Sequence, residues 1–176
     1  LSPAAEAAGV FEPNVWLKIT ADGKARIMLS MLEMGQGVMT AMPMLLAEEL
    51  DVDWNNVTTE WVGADARYGN PGFGGAQTTA GSNSTRGMWK ILRQAGATAR
   101  AMLVSAAAKD WGVQESACST DKGVVIHQAS GRRATYASLV HKPAALPVPA
   151  NAPMKDPRAF TLLGQDVPRL DIPSKV

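Results

Sequence analysis

The sequence predicts an α+β fold: a small mixed sheet carrying two main helices, with a proline-rich extended arm at its C-terminal end. Three features predict it. Short runs near the start alternate apolar and polar residues, the period of a half-buried strand. Two longer runs repeat apolar residues at helical spacing, the mark of a helix facing a core. Beyond His141 the texture changes, and seven of the eleven prolines fall between Pro143 and Pro173.

The elements follow in order. Residues 1–10 open on Leu1 and a run of small residues, and read as a mobile segment. A leucine in first place suggests a processed or a trimmed N-terminus, and a removed export signal is one explanation. Residues 15–20 alternate as a strand, Asp22-Gly23 makes a turn, and Ala25–Ser30 is the second arm of a hairpin. After Gly35-Gln36-Gly37 a helix runs from about Val38 to Leu50, with Pro43 tolerable in its first turns. Asn56–Val62 reads as another strand. Residues 63–82 are glycine-rich and long for a plain connection, which marks them as functional.

A long helix is expected from Ser84 to about Trp111, roughly 42 Å at 1.5 Å per residue. Met88, Leu92, Ala95, Ala99, Met102, Leu103 and Ala106 form its buried stripe, and Gly112 stops it. Val124–His127 is a short strand and Thr135–Val140 a helical turn. From His141 onward the chain reads as an arm laid over a partner or a neighbouring domain, although a flexible linker would have a similar composition.

Composition narrows the chemistry. A chain of 176 residues buries about 70% of the surface its unfolded form exposes, enough for one domain with a real core. Seventeen basic residues against sixteen acidic ones leave a charge of +1, without the clustered positive charge of a nucleic-acid surface. Cys118 is the sole cysteine, so this chain alone holds no iron–sulfur cluster, which needs about four thiolates. With only His127 and His141 there is no zinc constellation. No residue reads as a metal ligand, and none as a catalytic group. The six methionines between Met28 and Met44 read as adaptable core packing rather than a copper site. Arg86, Lys90, Arg93 and Arg100 share one face of the long helix, either solvated or paired with another polypeptide.

Two turns carry the binding chemistry. The first is Glu33-Met34-Gly35-Gln36-Gly37-Val38-Met39-Thr40, between a strand and a helix. Gly35 and Gly37 let the backbone approach a ligand, and the first helical amides are expected to face it and favour an anion. Thr40 adds a hydroxyl, and Gln36 an amide that both donates and accepts. A tight turn would use the same residues. So would a dinucleotide site, with Glu60 near the place of a ribose-binding acid, although Thr40 stands where the Rossmann fingerprint needs a third glycine. The second turn is Gln77-Thr78-Thr79-Ala80-Gly81-Ser82-Asn83-Ser84-Thr85, running into the long helix. An N-cap accounts for Ser82 or Ser84 but not for the whole polar run. The missing lysine excludes a P-loop. Together the turns point to a bulky anionic ligand held at two places.

Read together, the segment from Glu33 to Thr40, continued by Leu46-Ala47-Glu48-Glu49-Leu50, resembles the molybdopterin-binding large subunit of the xanthine dehydrogenase and aldehyde oxidase family. Thr79-Ala80-Gly81-Ser82-Asn83-Ser84 resembles that family's second cofactor-binding segment. Phe11-Glu12-Pro13-Asn14-Val15-Trp16-Leu17 and the closing Pro168-Arg169-Leu170-Asp171-Ile172-Pro173-Ser174-Lys175-Val176 are similar to its isoquinoline 1-oxidoreductase-like branch, which includes bacterial aldehyde dehydrogenases.

The resemblance implies a molybdenum–molybdopterin cytosine dinucleotide cofactor and a water-derived oxygen inserted into a C–H bond of an aldehyde or N-heterocycle. It assigns cofactor contacts to Gly35, Gln36, Gly37, Gly81, Ser82, Asn83 and Ser84, and the hydroxyls of Thr40 and Thr79 in the same segments are read as cofactor-binding with them. The family's catalytic glutamate lies far beyond residue 176, so Glu33, Glu48, Glu49 and Glu60 are not read as bases. Residues 11–140 are then part of a molybdopterin-binding domain, and 141–176 lead toward the next domain. The implied partners are the remainder of the large subunit, a separate subunit with 2Fe–2S clusters, and a cytochrome c subunit. The implied location is the periplasm or the periplasmic side of a membrane, with the cytoplasm as the alternative. The competing reading is a non-catalytic module that binds another phosphate ligand, such as a nicotinamide dinucleotide.

Overall fold

The structure is a computed structural model that describes residues 9–142 and 147–176; most of the N-terminal segment expected to be mobile lies outside them. Strands β1 (Val10–Asn14), β2 (Leu17–Thr20), β3 (Ala25–Leu29) and β4 (Val57–Trp61) form one mixed sheet in that order. β1, β2 and β3 pair antiparallel, while β3 and β4 are parallel, with Ala25 opposite Val57 and Leu29 opposite Trp61. Parallel neighbours need a crossover, and helix α1 (Val38–Leu50) supplies it. The expected strand over residues 15–20 is shorter than the sequence suggests. Trp16 N donates to Asn14 Oδ1 at 3.0 Å, so the chain reverses there and a further strand, β1, precedes the turn. Pro13 is acceptable in β1 because that strand lies at the sheet edge.

Helix α1 is buried on nearly every side, from Val38 to Leu50, since it lies between the sheet, the second helix and the C-terminal segment. Helix α2 (Ser84–Trp111) spans the expected residues and ends at Gly112 in the left-handed conformation (φ 66°). All seven residues of its expected apolar stripe are buried. The two helices touch at Gly96, where a β-carbon would come within 2.3 Å of Leu46 O and 3.0 Å of Leu50 N. Backbone cannot step aside as a side chain can. Gly96→Ala is therefore expected to destabilise the chain by about 1–3 kcal/mol through overpacking, read as a lower urea midpoint at unchanged slope.

Three short strands, β5 (Cys118–Asp121), β6 (Val124–His127) and β7 (Arg132–Thr135), form a second antiparallel sheet, followed by the helical turn α3 (Tyr136–Leu139). Of these strands the sequence indicates only β6, because β5 and β7 are polar and largely exposed. Met28, Met31, Met42 and Met44 are buried, as core packing requires.

The described part of the C-terminal segment runs back over α1 and α2 of its own chain. The Glu48 carboxylate accepts from the amides of Thr161, Leu162 and Leu163 at 3.0, 2.7 and 3.0 Å, and from Lys155 Nζ at 3.0 Å. Glu49 accepts from Lys155 N at 2.8 Å and pairs with Arg93 at 2.7 Å. The arginine face of α2 is thus not solvated throughout: Arg86 and Lys90 are exposed, but Arg93 and Arg100 are engaged by this chain itself. Arg93 is buried on Glu49, and Arg100 donates to Pro153 O at 3.1 Å.

Candidate functional site

Both turns open onto one cleft of about 410 Å³. Met34, Gln36 and Val38 line it from the first turn; Thr79, Gly81 and Ser82 line it from the second, with Ser84 and Thr85 of α2. The turns are tied directly, since Leu32 N donates to Thr79 Oγ1 at 2.8 Å. Met34 is 68% exposed at the mouth, so apolar side chains do not close the space.

The first turn holds itself rigid. Gln36 Oε1 accepts from Met34 N at 2.6 Å and Gln36 Nε2 donates to Leu32 O at 2.8 Å. One amide hydrogen and one lone pair of Gln36 are left for a ligand. Gly37 takes the left-handed conformation (φ 83°) as it enters α1, and space is open beside its α-carbon, so any side chain there would be strained.

Here the structure corrects one expectation. The amides of Gly35 and Gly37 donate to Glu33 Oε1 at 2.8 and 3.0 Å, and Met39 N donates to Glu33 Oε2 at 2.9 Å. The start of α1 is therefore capped by an internal carboxylate, and these amides do not face the cleft. A fixed negative charge at a helix N-terminus offsets the partial positive charge there, so this end offers little to a second anion. Burial tends to raise the Glu33 carboxyl, but the three amides outweigh it and hold it below the ordinary carboxylate value. The signal was present in the sequence, as a glutamate two residues before Gly35-Gln36-Gly37.

Thr40 is a second correction. Its hydroxyl is buried and accepts from Leu170 N at 2.9 Å, so it serves the C-terminal segment and does not line the cleft.

The second turn is different in kind. Gly81 and Ser82 are both left-handed, with φ of 58° and 53°. For serine this conformation costs roughly 1–2 kcal/mol, and such outliers cluster at ligand sites. The residue before α2 is Asn83, whose side chain makes no cap hydrogen bond. Among the described residues no carboxylate or hydroxyl caps the first amides of α2, unlike those of α1.

Asn83 itself is buried and turns away from the cleft. Its Nδ2 would collide with a β-carbon on Gly72, its Oδ1 accepts from Arg86 Nε at 3.3 Å, and its carbonyl accepts from Asn70 Nδ2 at 3.2 Å. Gln77 also turns inward and bridges Asp65 N, Ser30 O and Gly63 O. Part of the polar run is thus structural, and the glycine-rich stretch packs around Asn70, which is fully buried. Asn70 escaped the sequence reading, although its Asn-Pro-Gly setting is a turn signal.

Electrostatics follow from the lining. None of the nine residues that line the cleft is charged, and the uncapped start of α2 opens into it. Among the described residues no group of three or more His, Cys, Asp or Glu is placed to hold a metal ion. The cleft suits a ligand with an anionic group at the α2 end and a neutral hydrogen-bonding edge near Gln36. That description fits a phosphate-bearing pterin.

Comparisons with known proteins agree. The family profile of the molybdopterin cofactor-binding domain matches residues 2–165. The chain is 39% identical to the beta subunit of isoquinoline 1-oxidoreductase from Brevundimonas diminuta, over 93% of this chain and 25% of that protein. It is 31% identical to a membrane-bound aldehyde dehydrogenase [pyrroloquinoline-quinone] of Gluconacetobacter polyoxogenes, over 95% of this chain and 21% of that one. It is 30% identical to a nicotinate dehydrogenase subunit of Pseudomonas putida, over 93% and 13%. The chain therefore spans a quarter or less of the length of these relatives. With that match over nearly its whole length, and with both turns open on one uncharged cleft, this chain belongs to the molybdopterin cofactor-binding domain family.

Proposed function

We propose that the cleft between the Gln36 and Ser82 turns is this chain's share of the cofactor site of a molybdenum hydroxylase acting on an aldehyde or an N-heterocycle. The observation that carries the reading is the contrast between two helix starts. That of α1 is filled by Glu33, whereas that of α2 is uncapped and opens into a cleft without a carboxylate. The phosphate goes to the α2 end, where Ser82, Ser84 and Thr85 add hydroxyls. Gln36 faces the pterin edge. Each hydrogen bond to a charged oxygen contributes about 1.5–3 kcal/mol.

The cofactor, in its cytosine dinucleotide form, supplies the redox chemistry by which a C–H bond and a water become C–OH, two protons and two electrons. This chain's residues bind and orient the pterin; the base and the substrate pocket lie in the remainder of the large subunit, toward which residues 141–176 lead. The electrons leave through a separate 2Fe–2S subunit and a cytochrome c subunit on the periplasmic side of a membrane. A chain with one cysteine and a relative named as membrane-bound both support that arrangement.

Metal analysis and acid release from the assembled protein should yield molybdenum and a cytidine nucleotide. Recovery of pyrroloquinoline quinone without molybdenum, or tight binding of a nicotinamide dinucleotide by this chain alone, would overturn the reading. A sharper check is Thr85→Glu. A carboxylate in the first turn of α2 favours the helix by about 0.3–1 kcal/mol yet repels an anion in the cleft. Molybdenum content should fall at least tenfold while the protein unfolds no earlier than the parent.

A further inference from the structure

The turn that carries Gln36 is held from a segment more than a hundred residues further along the chain. Arg169 Nη1 donates to Gly35 O at 3.2 Å, and Arg169 Nη2 lies 3.3 Å from Glu33 Oε1. The guanidinium is itself oriented by Asp171, with Nε to Oδ1 and Nη2 to Oδ2 both at 2.9 Å. Lys175 Nζ donates to Asp171 Oδ2 at 2.6 Å, so Asp171 sits between two cations. Next to this, Leu170 N donates to the buried Thr40 hydroxyl on α1. Residues 169–171 therefore grip the first turn at its carbonyl, at its capping carboxylate and at the helix that follows.

We infer that Arg169, oriented by Asp171, is a positioning residue that locks the Glu33–Gly37 turn and so presets the Gln36 side of the cleft. The physical need is plain. Glu33 brings a negative charge within a few residues of a cleft meant for an anion, and its carboxylate is almost fully buried, at 6% exposure. The Arg169 guanidinium offsets that charge. Its planar fork also spans a carboxylate and a carbonyl at fixed angles, which the single ammonium of lysine cannot do. Without it the described contacts left to the turn are those of Glu33 to the local amides, of Gln36 to its own backbone, and the tie from Leu32 N to Thr79 on the second turn. The two glycines in the turn make it costly to keep ordered on those alone. Arg169 touches no part of the cleft itself, so its effect on the cofactor is indirect.

The effect on cofactor rests on the function proposed above, whereas the effect on the turn does not. Arg169→Ala and Arg169→Lys in the assembled protein, with Asp171→Asn as a second route to the same defect, test both. The readouts are hydrogen exchange at the amides of Gly35, Gly37 and Met39, and molybdenum retained per polypeptide. Arg169→Ala should speed exchange at these amides at least tenfold and lower retained molybdenum several-fold. Arg169→Lys and Asp171→Asn should fall between it and the parent, and exchange in the middle of α2 should stay unchanged. Unchanged exchange at Gly35, Gly37 and Met39 in Arg169→Ala would overturn the lock, whatever happens to the metal. Full retention of molybdenum despite a loosened turn would overturn the link to the cofactor. A parent protein without molybdenum sinks the functional reading, but leaves the exchange test standing. If Arg169→Ala does not fold, Arg169→Lys decides the matter by the same two readouts.

Discussion

Replacing Glu49 by alanine is expected to cost about 3–5 kcal/mol of stability, the usual result of removing one partner from a buried ion pair. The Glu49 side chain is fully buried and lies 2.7 Å from Arg93, 3.6 Å from Arg100 and 2.8 Å from the amide of Lys155. Arg93 is itself only 8% exposed, and its guanidinium lies over the rings of Trp89 and Phe160, at 5.3 and 4.9 Å. Once Glu49 is gone, that cation has neither a carboxylate nor free water. For a chain of this size the loss corresponds to a melting temperature lower by about 6–20 °C. Differential scanning calorimetry of the assembled protein checks it. A drop of less than 2 °C would mean that water reaches Arg93 and that the pair is not truly buried.

Acid should release the C-terminal segment before it unfolds the core. At Glu48, burial pushes the carboxyl up, but the amides of Leu163 and Leu162 and the ammonium of Lys155 outweigh it, so its value falls below the ordinary 4.5. Glu33 is lowered in the same sense, against burial, by the amides of Met39, Gly37 and Gly35. Asp171 lies well below the usual range, chiefly through Arg169 and then Lys175. A carboxylate whose folded value is depressed favours folding above its unfolded value, and that contribution fades as pH falls through the folded one. The contacts of Glu48, Glu33 and Asp171 are therefore at full strength above about pH 5 and weaken progressively below about pH 4. Glu48 and Glu33 tie residues 155–175 to α1 and to the turn before it, and Asp171 orients the Arg169 that reaches Glu33. Limited proteolysis at stepped pH should show new cleavage in residues 155–175 below pH 4, while α2 remains intact. Simultaneous cleavage in both regions would mean that the segment and the core unfold as one unit.

The long elements were legible because their signals are local. Apolar spacing placed both helices close to their observed bounds, and Gly112 marked the end of α2. β1, β5 and β7 were not legible. They are short, and β5 and β7 have polar, half-exposed sequences that become strands only because β6 pairs with them. The candidate site was legible in outline. Gln36, Thr79, Gly81, Ser82 and Ser84 line one cleft, because glycines and hydroxyls at a helix start announce themselves in sequence. Glu48 and Glu49 look like ordinary surface acids in a run of helix formers. Nothing local says that their partners are Lys155, Arg93 and the amides of residues 161–163.

By itself, then, the order of residues determined the helices and the two polar turns that open onto the cleft. Only the folded chain decided how the two helix starts differ, because a glutamate near a helix start caps it only when, as Glu33 does, it folds back on the amides there. It also decided what steadies that turn, since Arg169 reaches Glu33 from 136 residues away. Periodicity and capping act over a few residues and can be read directly. Charge pairing across such a separation depends on where the whole chain has packed.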